Sequence, residues 1–217
     1  MIRHDGASRL LAIALSTLAG YIDATGFLML GGFFVSFMSG NTTRLGVGLV
    51  DNPSRAALAA GLIAVFVLGV MLGSLCGHAA RRHRRAIVLG LVSLLLFAAA
   101  GIAEAGQPMP SAFILALAMG AENVVFEREG EVQIGVTYMT GTLVKLGQHL
   151  VGALLGRQQR MAWMPYLLLW LGLLTGTVCG AIAHGYWGTG GLWLAAGATA
   201  LLALLTTRMR PSETEAS

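Results

Sequence analysis

The sequence predicts an all-α integral membrane protein made of two inverted repeats, each with three spanning helices and a short re-entrant strand that leads into a half-helix. Three observations predict this fold. The 217-residue chain is 56% hydrophobic and 11% charged, whereas about a quarter of the residues of a soluble domain are charged. Six apolar stretches are long enough to cross a bilayer, and one distinctive motif occurs twice.

Each of the six apolar stretches has near the roughly 20 residues that a spanning helix needs. They are residues 8–30, 56–79, 86–104, 110–126, 163–184 and 189–207. The first is too long for a secretory signal peptide and has no small-residue cleavage site, so we expect it to remain as a helix. Residues 1–105 and 106–210 are the two predicted repeats of a single membrane domain, and residues 211–217 form a polar tail.

The motif at residues 35–50 recurs at residues 136–151. In each copy an aromatic and β-branched run precedes a Ser-Gly or Thr-Gly pair, and small and apolar residues follow at helical spacing. We predict a short strand that feeds a half-helix in both copies. Ser39 or Asn41 is expected to cap the first half-helix, and Thr140 or Thr142 the second.

The arginines indicate how often the chain crosses the membrane, because basic residues collect on its cytoplasmic side. If both motifs enter and leave on the same side, most arginines are cytoplasmic. These are Arg3, Arg9, Arg81, Arg82, Arg84, Arg85, Arg128, Arg157, Arg160, Arg208 and Arg210, while Arg44 and Arg55 are outside. We therefore predict six crossings with both termini cytoplasmic. Three crossings per repeat insert the second repeat upside down, as in many secondary transporters, so that the two strand and half-helix units cross near the bilayer middle.

The duplication extends to both sides of the motif. Gly20 and Asp23 correspond to Gly120 and Asn123, and a row of glycines four residues apart also occurs in both repeats. This row is Gly69, Gly73 and Gly77 in the first repeat and Gly172, Gly176 and Gly180 in the second. Glycines at this spacing share one helix face and let two helices approach closely in lipid.

Together these residues resemble a known family. Gly20-x-x-Asp23, the run from Phe34 to Thr43, Gly120-x-x-Asn123 and the run from Thr137 to Thr142 are similar to the paired motifs of the YoaK-like bacterial membrane proteins, also called DUF1275 or UPF0700. The resemblance covers nearly the whole chain and implies a small inner-membrane protein without a defined substrate. We expect glutamine in that family where this chain has Glu122, so the carboxylate is a departure. The strand and half-helix units also resemble the crossed elements of the uracil-permease and sulfate-transporter fold, which does not fix function.

Three polar residues of the predicted helices are candidates for coupling substrate movement to an ion: Asp23, Glu122 and Asn123. A carboxylate inside an apolar stretch, such as Asp23, costs a few kcal/mol unless it is paired or hydrated. Asp23 either has a functional role or accepts hydrogen bonds from the neighbouring Ser/Thr motif. Asn123 takes its place in the second repeat and cannot ionise. Glu122 either has a partner in the membrane or belongs to the interfacial charge run near Glu127.

The predicted substrate-binding site lies where the two half-helices meet. The candidate binding residues are Ser36, Ser39, Gly40, Asn41, Thr42, Arg44, Thr137, Thr140, Gly141, Thr142 and Lys145. Arg44 and Lys145 either pair with Asp23, Glu122 or a bound anion, or extend along their stems to water. Helix N-termini favour an anion or a carbonyl group, whereas the two acids favour a cation, so the sign of the substrate charge stays open.

These features predict a small inner-membrane secondary transporter for a small anion or small polar metabolite, with proton coupling through Asp23. An ion channel and a non-transporting assembly or sensor protein are the alternatives. The sequence has no His/Cys metal spacing, phosphate-binding glycine loop or paired nucleophile and base, so we expect no enzyme, cofactor or metal. Basic residues at segment ends argue against nucleic-acid binding. The expected partners are the lipid bilayer and a small-molecule or ion substrate, and the glycine faces also allow a homodimer.

Overall fold

The computed structural model describes residues 6–80, 83–128, 131–132, 137–157 and 159–208. Its elements are α1 (Gly6–Met29), α2 (Met38–Asp51), α3 (Pro53–Ala80), α4 (Arg84–Glu104), α5 (Pro108–Glu122), β1 (Glu127–Arg128), β2 (Glu131–Val132), α6 (Met139–Leu154), α7 (Met164–Trp187), a 3₁₀ turn (Gly188–Gly191) and α8 (Leu192–Arg208). Arg3, Arg81, Arg82, Arg210 and the predicted tail at 211–217 lie outside the described residues.

All six predicted spanning stretches are helical, with ends within a few residues of the predicted ones, which confirms an all-α membrane protein apart from the two-residue strand pair. Four described segments are long and apolar enough to cross a bilayer: Gly6–Met29, Pro53–Ala80, Arg84–Glu104 and Met164–Thr207. The last contains both α7 and α8, with the left-handed Gly188 (φ 56°) between them. Helix α5 is apolar but has only 15 residues.

The directions of the helices follow from contacts at their two ends. Helices α1 and α7 run parallel, because Thr17 lies against Gly176 and Tyr21 lies against Gly180. Helices α4 and α8 run antiparallel, because Ser93 Oγ donates to the carbonyl of Ala196 (3.2 Å) and the Trp193 indole donates to Glu104 (3.0 Å).

Two further pairs complete the arrangement. Helices α3 and α5 run parallel, because Gly69 lies against Leu117 and Gly73 against Ala121. Helix α4 runs antiparallel to α5, since Ser111 Oγ donates to the carbonyl of Ala99 (2.8 Å) and Arg84 approaches the carbonyl of Val124 (3.4 Å). The starts of α4 and α1 lie side by side, because Arg85 of α4 donates to Ser8 of α1 (3.1 Å). Helices α1, α4 and α7 therefore point one way, and α3, α5 and α8 point the other.

The predicted glycine faces form two close helix crossings, α1 with α7 and α3 with α5. A Cβ atom on Gly176 would overlap the carbonyl oxygen of Thr17, and one on Gly69 would overlap that of Leu117. Gly20 meets Leu173 in the same way, and its counterpart Gly120 meets Phe66. Only glycine permits backbones this close, so these residues fix where the helices cross.

The two crossings differ by one helical turn. Gly176 meets Thr17, whereas its counterpart Gly73 meets Ala121, and Ala121 corresponds to Tyr21 rather than to Thr17. A difference of four residues along an α-helix is about 6 Å at 1.5 Å per residue. The two crossings are therefore equivalent in sequence but not in register.

The core lies where α1, α4, α5 and α8 meet, and its largest fully buried side chains are Leu15, Ile22, Leu62, Leu89, Leu96, Leu115, Met119 and Leu192. The outer surfaces carry many exposed apolar side chains instead. Val50 of α2 is 86% exposed and Leu154 of α6 is 85% exposed. Apolar residues on this scale would be a liability in water, whereas they suit contact with lipid tails.

Candidate substrate-binding site

The loop before the first half-helix differs from its prediction. Residues 30–37 form a bent loop without a paired strand. At its end the N–H of Met38 donates to the carbonyl of Ser36 (3.1 Å), which makes an inverse γ-turn centred on Phe37 (φ −89°, ψ 77°). The second copy repeats this turn, since Met139 N–H donates to Thr137 (3.0 Å). The remainder of the second predicted strand, residues 133–136, lies outside the described residues.

The predicted helix caps are wrong, because aromatic residues take the N-cap position of both short helices. Phe37 precedes α2 and Tyr138 precedes α6, and neither helix start has a side-chain cap hydrogen bond. Ser39 and Thr140 therefore lie inside the first helical turn. The γ-turn explains the difference, since it brings the backbone into the helix two residues before Ser39 and Thr140 and satisfies the first N–H group by itself.

A glycine stands three residues after each of these aromatic residues, because the aromatic ring folds back over the first helical turn. A Cβ atom on Gly40 would lie 2.6 Å from the ring of Phe37 and 2.8 Å from that of Phe34. On Gly141 it would overlap the ring of Tyr138. The glycine of each Ser-Gly or Thr-Gly pair is thus explained by packing at the turn.

Asn41 stabilises the first loop. It is fully buried, and its amide accepts from the N–H of Phe34 (3.0 Å) and donates to the carbonyl of the same residue (2.7 Å). Thr42 and Thr142 use their hydroxyls within their own helices, on the carbonyls of Met38 (2.9 Å) and Tyr138 (3.2 Å). None of these three side chains lines the cavity described below.

Asp23 and Asn123 attach the two loops, residues 30–37 before α2 and residues 137–138 before α6, to α1 and α5. The carboxylate of Asp23 accepts from the N–H groups of Val35 and Ser36, both at 2.9 Å. Asn123 accepts from the Thr137 hydroxyl (2.8 Å) and donates to the carbonyl of Met119 (2.8 Å). Ser36 and Thr137 are equivalent residues of the motif, so the tether is duplicated with the motif, and only the first copy carries a charge.

A cavity of about 590 Å³ lies between the two loops. From the first repeat it is lined by Asp23 and Ser36, and from the second by Thr137 and Thr140. The structure therefore brings together four of the predicted site residues, from both copies of the motif. Its volume lies within the range of about 300–1,000 Å³ that is typical of small-molecule sites.

Other residues of the cavity wall were not predicted. The aromatic rings of Phe27, Phe34 and Phe37 line it, as do Leu173 and Thr177 of α7. Phe37 lies within the motif and Phe34 directly before it. The ring centroids of Phe27 and Phe34 are 5.0 Å apart, and those of Phe34 and Phe37 are 5.2 Å apart. Both copies of the motif carry an aromatic residue at the same position, Phe37 and Tyr138, and this repetition could have indicated an aromatic wall.

Arg44 does not form the predicted ion pair with Asp23. Its guanidinium lies over the rings of Phe27, Phe33 and Phe34, at 5.8, 5.3 and 5.4 Å from their centroids. Contacts of this kind are cation–π interactions. Its counterpart Lys145 is exposed, as are Ser39 and Thr42, and none of these residues lines the cavity.

Glu122 lies apart from the cavity, at the end of α5. Its side chain is completely buried, and neither carboxylate oxygen has a hydrogen-bond partner among the described residues. Its predicted partner Lys145 is exposed. The neighbouring charge run forms a separate cluster, in which Glu127 pairs with Arg84 (2.6 Å) and accepts from Ser74 (2.7 Å).

Comparison with known proteins gives the family. The model for "Protein of unknown function (DUF1275)" matches residues 11–205, which is most of the chain. The chain belongs to the DUF1275 family. Members of this family with similar sequences include the UPF0700 transmembrane protein RA0705 of Rhizobium meliloti (strain 1021), which is 36% identical over 205 residues, covering 92% of this chain and 86% of the relative. The UPF0700 transmembrane protein YoaK of Bacillus subtilis (strain 168) is 27% identical over 155 residues, covering 67% and 68%.

No solved structure matches the chain. The DUF1275 membership confirms the resemblance expected from the paired motifs. The relatives are named as transmembrane proteins, and the long apolar helices of this chain support a membrane protein as well. The family description names no substrate, so the function has to be argued from the cavity.

Proposed function

We propose that this DUF1275 protein is a small secondary transporter of the inner membrane, with both termini cytoplasmic, that binds a small polar solute in the cavity between its two loops. The observation that carries the proposal is the meeting of both copies of the motif at one cavity, where Ser36 faces Thr137 and Thr140 across about 590 Å³. A duplicated motif needs no such meeting for stability alone, since each copy is already tethered to its own helix by Asp23 or Asn123.

The helix directions support an inverted repeat. The helices of the first repeat, α1, α3 and α4, alternate in direction, and their counterparts α5, α7 and α8 take the opposite directions in turn. The basic side chains Arg9, Arg84, Arg85 and Arg160 lie near the helix ends that meet at the start of α1, as the positive-inside rule requires for a cytoplasmic face. Inverted repeats with non-helical backbone beside a central cavity are a recurring design of secondary transporters.

The difference in register between the two glycine crossings supports alternation between two states. In an inverted repeat, exchanging the registers of the α1–α7 and α3–α5 crossings would produce a second conformation in which the two repeats exchange roles. Each crossing would move by four residues, about 6 Å, which is close to the one-turn steps known from other helix rearrangements.

Asp23 is the residue that we propose for coupling. It lines the cavity, forms no ion pair among the described residues, and is fixed to the loop through the N–H groups of Val35 and Ser36. Binding of a proton or solute at Asp23 would weaken these two charge-assisted hydrogen bonds and so change the position of the loop. Occupancy of the cavity is in this way connected to the backbone that leads into α2.

A channel differs from this proposal in turnover and voltage dependence, and a sensor or assembly subunit differs in having no flux. The test is current recording from proteoliposomes on a solid-supported membrane, with inorganic ions, small organic acids and small amines applied in turn at two pH values. We expect a saturable signal for one solute class, which Asp23→Asn abolishes or makes independent of pH. Asp51→Asn, an exposed acid at the end of α2, is the matched control and should leave the signal unchanged.

Electroneutral exchange would escape this recording, so counterflow of radiolabelled solutes is measured on the same vesicles. Absence of both currents and counterflow for every solute class would overturn the transport proposal. Current that does not saturate with solute concentration would instead identify a channel.

A further inference from the structure

We propose that the cavity between the two loops selects an organic ammonium ion with an apolar, preferably aromatic, body. The inference rests on the proposed function and narrows it to a substrate class. It follows from the hydrogen-bonding character of the cavity wall, from its charge and from its aromatic rings.

Three polar groups of the wall, those of Thr137, Thr177 and Asp23, present hydrogen-bond acceptors. The hydroxyl proton of Thr177 is donated to the carbonyl of Leu173 (2.9 Å), and that of Thr137 is donated to Asn123 Oδ1 (2.8 Å). The amide of Asn123 cannot be the donor in the second contact, because its nitrogen donates to Met119. Both hydroxyls therefore turn only lone pairs towards a ligand, and the carboxylate of Asp23 is an acceptor as well.

Some of the N–H groups that would attract an anion are already occupied. At the start of α2, Met38 N–H donates to Ser36, and the N–H groups of Gly40 and Asn41 both donate to Phe37. At the start of α6, Met139 N–H donates to Thr137. An anion is held at a helix N-terminus by N–H groups that have no other acceptor, and each γ-turn has removed one of them.

The charge of the wall is negative. Asp23 is the acidic residue among the described cavity residues, and these include no lysine, arginine or histidine. The nearest cationic side chain of the motif, Arg44, is held outside the wall over the phenylalanine rings. Acceptors around one carboxylate match a ligand that carries N–H donors and a positive charge.

The remainder of the wall is apolar and aromatic. Phe27, Phe34 and Phe37 form a continuous set of rings beside Asp23, and Leu173 lies on α7. Aromatic rings beside a carboxylate attract a cation through their faces and an aromatic ligand through stacking. Arg44 already shows that two of these rings hold a cation at 5.4–5.8 Å.

The experiment uses three probes with one indole skeleton and different charge: tryptamine, indole-3-acetate and tryptophol. Their binding to the purified full-length protein in detergent is measured by isothermal titration calorimetry. We expect tryptamine to bind at least tenfold more tightly than tryptophol and indole-3-acetate to show the weakest binding. Indole-3-acetate or tryptophol binding as tightly as tryptamine would overturn the inference on the natural protein alone, without any variant.

Asp23→Asn then locates the site. Asparagine is the residue at the equivalent position of the second repeat, and its Oδ1 can still accept from Val35 and Ser36, so the loop tether is retained. We expect this variant to lose the tenfold preference for tryptamine over tryptophol, while Asp51→Asn retains it. An unchanged preference in Asp23→Asn would overturn the inference.

Thr177→Val tests the acceptor argument in a variant that leaves the loops intact. Loss of one hydroxyl lone pair should weaken tryptamine binding by a few-fold and leave tryptophol less affected. Stronger binding of tryptamine than of tryptophol to the natural protein, together with an absence of flux, would sink the transport proposal and leave the cation site standing. Flux of an organic acid without tryptamine binding would overturn the cation site and leave the transport proposal standing.

Discussion

The close crossing of α1 and α7 provides the sharpest test of the fold. In Gly176→Ala the new Cβ atom would overlap the carbonyl oxygen of Thr17 and lie 2.7 Å from its carbon, whereas ordinary contacts begin near 3.4 Å. The helices must therefore separate by roughly 1 Å along a face that also includes Gly172 and Gly180, and overpacking of this kind costs about 1–3 kcal/mol.

Alanine also raises helix propensity by about 1 kcal/mol relative to glycine, which would hide part of this cost. Gly197→Ala on α8 is the matched control, because a Cβ atom there meets nothing within 4 Å. Comparison of the two variants cancels the propensity gain. The free energy of unfolding is measured by circular dichroism while SDS is titrated into mixed micelles. We expect Gly176→Ala to be less stable than Gly197→Ala by about 1–3 kcal/mol, and equal stability would refute the crossing geometry.

Three further predictions concern the loop, the charge cluster and the topology. Asn41→Ala leaves the N–H and carbonyl of Phe34 without partners, so it should lower the free energy of unfolding by about 2–4 kcal/mol; the exposed Thr43→Ala should change it by less than about 0.5 kcal/mol, and equal effects in the same SDS titration would contradict the pinned loop. Glu127→Gln weakens a largely buried ion pair with Arg84 (side-chain exposures 7% and 18%) and should cost about 3 kcal/mol at low salt, whereas a loss below 1 kcal/mol would show the pair to be solvated. Single cysteines at Arg55 and His83, in a background without the native cysteines, should react with impermeant maleimide from opposite sides of the membrane, and labelling from one side would exclude the six-crossing topology.

Much of the helical framework could be predicted from the sequence, because in a membrane protein an apolar run and the helix that it forms have nearly the same length. The prediction for 86–104 thus became α4 at Arg84–Glu104. Glycine spacing predicted the close crossings, because glycines on one helix face let a second helix backbone approach closely. Neither argument required knowledge of which helices are partners.

The helix starts could not be predicted as well, because local propensity was overridden by a turn. Ser39 and Asn41 are good capping residues by type, yet the γ-turn at Phe37 starts the helix before them. Asn41 then bonds to Phe34, which an argument restricted to the nearest residues does not identify. The hydrogen bonds from Asp23 to the motif were one of the two sequence interpretations. The Asp23 carboxylate reaches Val35 and Ser36 because the loop after α1 returns to the same helix.

The position of Arg44 shows a different limit. Pairing with Asp23, Glu122 or a bound anion was one interpretation, because opposite charges were available, and extension to water was the other. The structure instead places the guanidinium over Phe27, Phe33 and Phe34, all close in sequence. Residue types that permit cation–π contacts were present in the sequence, but spacing alone does not decide between a ring and a carboxylate as partner.

The pairing of α1 with α7 also bears on how the protein is made. Helix α1 is synthesised first, and its partner is complete only when Trp187 has been added, roughly 8–30 s later at translation rates of about 5–20 residues per second. During that interval the face of α1 around Gly20 must lie against lipid or against the insertion machinery. Asp23 does not wait as long, since Val35 and Ser36 follow it almost immediately in the chain. The nascent protein therefore satisfies the carboxylate of Asp23 early, whereas its α1–α7 helix pair forms late.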